Sequence, residues 1–340
     1  MGTVVIFGGT GFIGTHLAQH WLRENLASRI FLVDLAPPRN EPYADDLQAA
    51  LKDGRASFVY GDVRNNDWRK QLPNQVDLIF NLAAIHREPG HRAREYFETN
   101  LYGAENVCAW ASDVRCNRLV FTSSISPYGP SEEVKNEDSL PVPETPYGSS
   151  KLAAEKIHKA WQVADLQRKL LILRPGVVFG PGEGGNVTRL LRSLMKGYFL
   201  YMGNKQTRKA GGYVKELGYV AQFGLEYQDR TGESFTLLNF SMSPTPALKE
   251  FVDAIQRTAG IHRYPLNVPR SLLLGASYPI DVVAKTLRIR QPISPVRVRK
   301  LYRSTSVDPK RLRDLGYQWR YTLEEAFVDW KRDLPRDFER

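Results

Sequence analysis

Cysteine, acidic residues and long apolar runs are scarce in this chain. Only two cysteines occur in 340 residues, Cys108 and Cys116, and they sit close together without metal-ligand spacing. That excludes a disulfide framework; both read as reduced thiols, and no metal site is expected. No run of eighteen apolar residues exists, so no bilayer-spanning segment is expected. The chain passes straight into a strand-like run, which leaves no room for a signal peptide. The sixth position is Ile6 rather than the Ser or Thr that myristoylation needs. A cytoplasmic location is the expectation.

Acids are outnumbered, 37 against 47 Lys and Arg, for a net charge of +10. The excess is concentrated late in the chain, in a stretch that includes Lys285, Arg288, Arg290, Arg297, Arg299 and Lys300. Such a surface can serve an anionic lipid or an acidic small substrate, or be a solvated face. No zinc-finger or RNA-module signature accompanies it and aromatics are not interleaved, so nucleic acid is not an expected partner. With 42% hydrophobic residues the chain can bury the core of one large domain or two lobes.

The most informative segment is Gly8-Gly9-Thr10-Gly11-Phe12-Ile13-Gly14. It lies between the apolar run Thr3–Phe7, read as a buried strand, and a helical stretch from Thr15 to Leu22. A glycine-rich turn there lets backbone N–H groups approach a pyrophosphate, and the helix N-terminus adds a favourable partial charge. A second apolar run, Ser28 to Asp34, ends in an acid twenty residues after Gly14. A carboxylate at that place accepts hydrogen bonds from adenosine ribose hydroxyls. It also repels a 2′-phosphate, which favours NAD over NADP, although Arg39 lies in the same loop.

Further strands are expected at 56–60, 76–81, 118–122 and 169–174, with helices over 94–112 and 148–164. This alternation implies a parallel sheet covered by helices on both faces. After Arg174 the elements shorten and proline and glycine punctuate them. The expected division is a dinucleotide-binding domain over residues 1–175 and a smaller substrate-binding lobe over 176–340, interleaved with the first. In such a sheet, ligands lie beyond the strand C-termini, between the lobes.

Tyr147 and Lys151 form Y-x-x-x-K at a helix start. Residues four apart share a face. Tyrosine, with an unperturbed pKa near ~10, is a poor base at neutral pH, but an adjacent ammonium stabilises its phenolate. So tuned, it is a usable general acid/base for a secondary alcohol. Thr122-Ser123-Ser124 follows a strand at the ligand edge, where a hydroxyl can hold a substrate oxygen against Tyr147.

With these residues in view, the chain resembles the extended short-chain dehydrogenase/reductases, in particular the NAD-dependent epimerase/dehydratase family acting on nucleotide sugars. The resemblance spans nearly the whole chain. It rests on the glycine segment, Asp34, Gly61-Asp62-Val63, Asn81-Leu82-Ala83-Ala84, Thr122-Ser123-Ser124, Tyr128-Gly129, Pro146–Lys151 and Arg174–Gly182. It implies a Rossmann-type doubly wound sheet. It also implies that Gly8, Gly11, Phe12, Ile13, Gly14 and Asp34 bind NAD, with Asp62 and Val63 at the adenine. Leu82, Ala83 and Ala84 would line the adenosine channel, and Val177 would pack on the nicotinamide. Ser124 and Tyr147 match the catalytic hydroxyl pair, and Lys151 would bind the nicotinamide ribose. Asn186 resembles an asparagine at the sugar-nucleotide phosphate, and Asn100 one that ties a helix to a loop. Ser126 would line the substrate site. A homodimer through the two long helices is implied as well.

Two absences narrow the reaction. Family 4,6-dehydratases carry an acidic pair after the catalytic hydroxyl, where this chain has Ile125 and Ser126; family decarboxylases place a glutamate at Ser126. What remains is chemistry at one carbinol: epimerisation at C4 of a UDP-sugar through a 4-keto sugar, or reduction of a 4-keto sugar with the same residues. The usual arginine before the substrate helix is replaced by Gly211 and Gly212, so either pyrophosphate binding shifts to Arg208 and Lys209 or to Arg297 and Arg299, or the substrate is not a nucleotide sugar. The apolar-then-basic segment 271–290 leaves open a 3β-hydroxysteroid dehydrogenase-like enzyme on a lipid or lipid-linked substrate; membrane-surface association is the less favoured reading against a core helix with a solvated end. A non-catalytic dinucleotide-binding protein is the remaining reading. Tyr147 and Lys151 argue against it. His86 reads as a solvated loop residue or one facing the substrate. Asn81 reads as closing a strand, and Trp110 and Trp161 as packing.

Overall fold

A computed structural model describes residues 2–88, 90–131, 133–202, 204–269, 275 and 305–339. The strands of the first half form where short apolar runs are bounded by turns: β1 (Gly2–Phe7), β2 (Ala27–Asp34), β3 (Ala56–Tyr60), β4 (Leu78–Asn81), β5 (Arg118–Thr122) and β6 (Lys169–Pro175). Their interiors are buried on both sides; Val5, Ile6, Phe7, Leu32 and Val33 have almost no exposed surface. That is the pattern of strands sandwiched between helix layers. The helices between them are α1 (Phe12–Arg23), α2 (Asp45–Asp53), α3 (Ala93–Asp113) and α4 (Pro146–Val163).

The second half adds β7 (Val177–Phe179), α5 (Asn186–Lys196), β8 (Tyr201–Met202), β9 (Gly211–Tyr213), α6 (Val214–Thr231), β10 (Phe235–Phe240), α7 (Leu248–Ala259), β11 (Asn267–Val268), α8 (Lys310–Asp314) and α9 (Leu323–Asp333). The central sheet has seven strands in the order β10-β6-β5-β4-β1-β2-β3. Every pairing in it is parallel. Chain direction across the sheet reverses between β1 and β4, and the crevice outside the C-termini of these two strands is where such sheets bind ligands.

One face of the sheet packs on α1 and α6 through Leu17, Ala18, Trp21, Leu217 and Ala221. The other packs on α3 and α4 through Val107, Trp110, Ala154 and Trp161. A third core unites α5, α7 and α9 around Phe179, Leu191, Phe251, Phe327 and Trp330. Polar pins attach it: buried Glu216 on α6 accepts the backbone N–H groups of Arg320 (3.1 Å) and Tyr321 (3.0 Å), and Lys215 pairs with Asp329 at 2.6 Å.

Candidate functional site

The loop after β1 is compact because its glycines permit it. Gly8 has φ +76°, and a Cβ there would lie 2.9 Å from the Ala83 nitrogen; at Gly14 it would lie 2.3 Å from the Gly8 carbonyl oxygen. The loops after β1 and β4 therefore touch at the switch point. Gly11 precedes the first turn of α1 and offers no side chain to cap it. Backbone N–H groups at that helix start are open to an anion. Phe12 sets its ring edge against His16 at 5.5 Å, and Ile13 packs into the core beneath. Asp34, at the end of β2, accepts the Thr10 N–H at 3.1 Å and the Leu35 N–H at 2.8 Å. Its carboxylate thus faces the glycine loop.

Asp62 and Val63 follow β3. The Arg64 guanidinium holds the Asp62 carboxyl below the usual carboxylate range and bonds both its oxygens. Val63 is buried against Gly103 of α3, where a Cβ would lie 2.9 Å from the valine side chain. Leu82 donates its N–H to Phe7 O at 2.9 Å, which starts the Leu82-Ala83-Ala84 segment at the sheet edge. Asn100 reaches from α3 to that loop: its side-chain oxygen accepts the Ile85 N–H at 2.9 Å, and its amide donates to Ser150 Oγ at 2.8 Å. His86 is exposed.

Thr145 caps α4 by accepting the Gly148 N–H at 3.1 Å, and Pro146 takes the first helical position. Tyr147 and Lys151 follow one turn apart. Gly148 lets this helix start lie against Ser126; a Cβ there would be 2.7 Å from Ser126 O. The Ser124 hydroxyl donates to Ser126 Oγ and accepts the Ser126 N–H, each at 3.1 Å. Burial pushes the Tyr147 phenol up to about 12, and a hydrogen bond with Ser124 pulls it the other way. The helix start that carries Tyr147 and the loop that carries Ser124 and Ser126 are thus brought together, with Lys151 one turn further along the helix.

Lys151 is 2% exposed. Its ammonium donates to Thr122 O at 2.7 Å and lies 4.2 Å from the Phe121 ring centroid. Burial lowers it to about 7, and the Glu155 carboxylate opposes that shift. Glu155, one turn further along α4, is itself buried and bonded by Arg174 at 2.8 and 2.6 Å and by the Ser123 hydroxyl at 2.5 Å. Arg174 also lies over the Tyr128 ring at 4.7 Å, and Tyr128 donates to Asn239 at 2.9 Å. Sequence reasoning assigned nothing to Glu155. Its signal was its place four residues after Lys151, together with a lone arginine at the end of the apolar run of β6. His16 was also passed over; it bonds Pro181 O at 2.9 Å and joins α1 to the loop after β7.

The expected substrate residues are placed unevenly. Val177 opens β7 and is partly buried against the third core. Asn186 opens α5, is exposed and accepts from Arg189 at 2.6 Å. Arg208 donates to Thr245 O, and its backbone bridges to Ala247. Arg297 and Arg299, with segment 271–290 apart from Gly275, lie outside the described residues.

The family model described as "NAD dependent epimerase/dehydratase family" matches residues 4–234. The N-acetyl-alpha-D-glucosaminyl-diphospho-ditrans,octacis-undecaprenol 4-epimerase of Escherichia coli O157:H7 is 26% identical over 339 residues, covering 97% of each chain. The bifunctional UDP-glucose 4-epimerase and UDP-xylose 4-epimerase 1 of Pisum sativum is 25% identical over 353 residues, covering 98% of this chain and 96% of that one. Among solved structures, a UDP-glucuronic acid 4-epimerase from Bacillus cereus in complex with NAD superposes with a TM-score of 0.75 at 18% identity, over 99% of this chain and all of that one.

Proposed function

The chain belongs to the NAD-dependent epimerase/dehydratase family, and on that premise we propose that it inverts C4 of a sugar carried on a diphosphate, a UDP-sugar in the first instance. The observation that carries this reading is the start of α4, with Tyr147 and buried Lys151 one turn apart, set against the Ser124–Ser126 loop and beside a glycine cradle where an added Cβ would meet backbone. The residues fit NAD: the uncapped start of α1 suits the pyrophosphate, Asp34 the adenosine ribose hydroxyls, and Val63 and Leu82–Ala84 the adenosine. When bound, NAD would supply reversible hydride acceptance for the oxidation and re-reduction at C4.

The chain's own residues handle the proton. Ser124 orients the C4 oxygen, and Tyr147 takes its proton and gives it back. A phenol held near 12 needs cationic help to ionise at neutral pH; in this reading it comes from Lys151, one turn along α4, whose ammonium donates to Thr122 O in the structure. Neither elimination nor decarboxylation has an acid to serve it at Ile125 or Ser126. A second reading keeps the chemistry and changes the carrier to a polyprenyl diphosphate; it is supported by the carrier named for the Escherichia coli relative, which matches this chain along its length. A 4-keto-sugar reductase would use the same residues.

We also read the chain as a homodimer. Helices α3 and α4 pack on each other and leave Phe97, Tyr102 and Val163 exposed, at 37%, 53% and 62%. The deciding experiment is turnover on UDP-hexoses, UDP-N-acetylhexosamines, their polyprenyl-diphosphate counterparts and 4-keto sugars, with native mass spectrometry for retained NAD. Interconversion of C4 epimers without added reductant supports epimerisation. Wild-type rates in Tyr147→Phe would overturn the mechanism.

A further inference from the structure

The described surface holds an apolar and cationic patch far along the chain from the chemistry. Strands β8 and β11 pair in parallel, with Tyr201 opposite Asn267 and Met202 opposite Val268. Alternation along a strand sends every second side chain to the same side. Leu200 and Met202 therefore lie beside Leu266 and Val268, with Tyr198 and Tyr264 in the segments that lead into the two strands. Tyr201, between the first two, is buried, whereas Leu266 is 73% and Tyr264 98% exposed; Tyr198, Leu200 and Met202 are also exposed. On β11 Asn267 is exposed and Val268 half-buried, so the exposed residues here are mostly, not wholly, apolar and aromatic.

Cations predominate in the sequence around this face, where Asp253 lies near Tyr201 and Asp337 pairs with Arg192 at 3.8 Å. Between positions 184 and 210 there are six Lys or Arg and no Asp or Glu, and no acid occurs from 254 to 280. Arg189, Arg192 and Lys196, at helical spacing, form the exposed side of α5, which runs directly into Tyr198. The Arg263 guanidinium lies over Gly197 at the end of that helix, where an added Cβ would meet it.

We propose that this face, the open side of β8 and β11 with the cations of α5 and Arg263, docks on the surface of a membrane containing anionic lipid. Tyrosines suit the headgroup level, leucine and methionine the acyl boundary, and arginine and lysine the lipid phosphates. A protein partner as acidic as this face is basic would satisfy the cations alone. The exposed leucines and tyrosines among them are what favour lipid. The proposal does not depend on which sugar carrier the enzyme uses.

The test is co-sedimentation of the full chain with vesicles of phosphatidylcholine alone or mixed equally with phosphatidylglycerol. Binding to the mixed vesicles, weakened by salt and much lower on phosphatidylcholine, is expected. Lys196→Gln and Arg263→Gln should each weaken it about five-fold, the worth of one cation near an anionic surface. Tyr264→Ser with Leu266→Ser should reduce binding at least as much and leave turnover of a water-soluble substrate unchanged. The charge variants keep the test intact if the strand-face variant folds poorly. No binding to anionic vesicles would overturn the proposal. So would binding that none of these variants weakens, or self-association through this face without vesicle binding.

Discussion

Replacing Glu155 with Gln tests how the buried charges beneath the site support Lys151. Glu155 and Arg174 side chains are 6% and 5% exposed and meet at 2.6 Å. Removing one member of such a pair leaves an uncompensated buried charge, which costs about 3–5 kcal/mol. In a chain of this size that is a fall in Tm on the order of 10 °C. Glu155→Gln/Arg174→Met removes both charges, so it should cost clearly less than the two single losses added together, with a coupling of about 1–3 kcal/mol. A second effect reaches the site. The carboxylate is what resists the burial-driven lowering of Lys151 to about 7. In Glu155→Gln the lysine loses its proton at a lower pH, so the alkaline limb of kcat should move to lower pH, while Arg174→Met, which keeps the carboxylate, should not move it that way. Thermal melts of the four proteins and pH–rate profiles of those that fold read both effects. Additive Tm losses, or an alkaline limb unmoved in Glu155→Gln, would refute the reasoning.

His16 and His158 are buried, and burial lowers them to about 4 and about 3. The unfolded chain takes up their protons near pH 6.5 and the folded chain does not, so stability present above that value is lost as pH falls toward 4. For His16 alone this amounts to roughly 3 kcal/mol, and a His16→Phe protein should show a shallower fall in urea midpoint between pH 7 and 4. If Asp34 holds the ribose hydroxyls, NAD should bind much more tightly than NADP, and Asp34→Ala should narrow that gap without lowering Tm by more than a few degrees; equal affinities in the parent protein would defeat the assignment. Phe97→Glu with Tyr102→Glu should turn a dimer into a monomer by light scattering, whereas a parent protein that is already monomeric at micromolar concentration would dispose of the α3–α4 interface.

Much of the sheet was legible because its signals are local. The runs around Val5, Phe31, Phe58 and Val120 are short, apolar and bounded by turns, and the structure has strands at each of them. The glycine loop was legible for the same reason: Gly8 and Gly14 are needed by contacts within a few residues and with one neighbouring loop. What escaped was set by distant parts of the chain. β10 enters the central sheet beside β6 only after the chain has built α5 and α6, and nothing in Phe235–Phe240 says which strand it will pair with. The burial of polar residues on α1 is likewise set from a distance. His16, Gln19 and His20 look like a solvated side, yet α1 is covered by the loop at Pro181, by α2 and by α6, so all three are buried. Glu155 and Arg174 lie nineteen positions apart, and only the close approach of α4 to β6 makes them a buried pair. The catalytic pair was easier to find because Tyr147 and Lys151 lie on one helical turn. The residues beneath them were harder, since their partners come from another element.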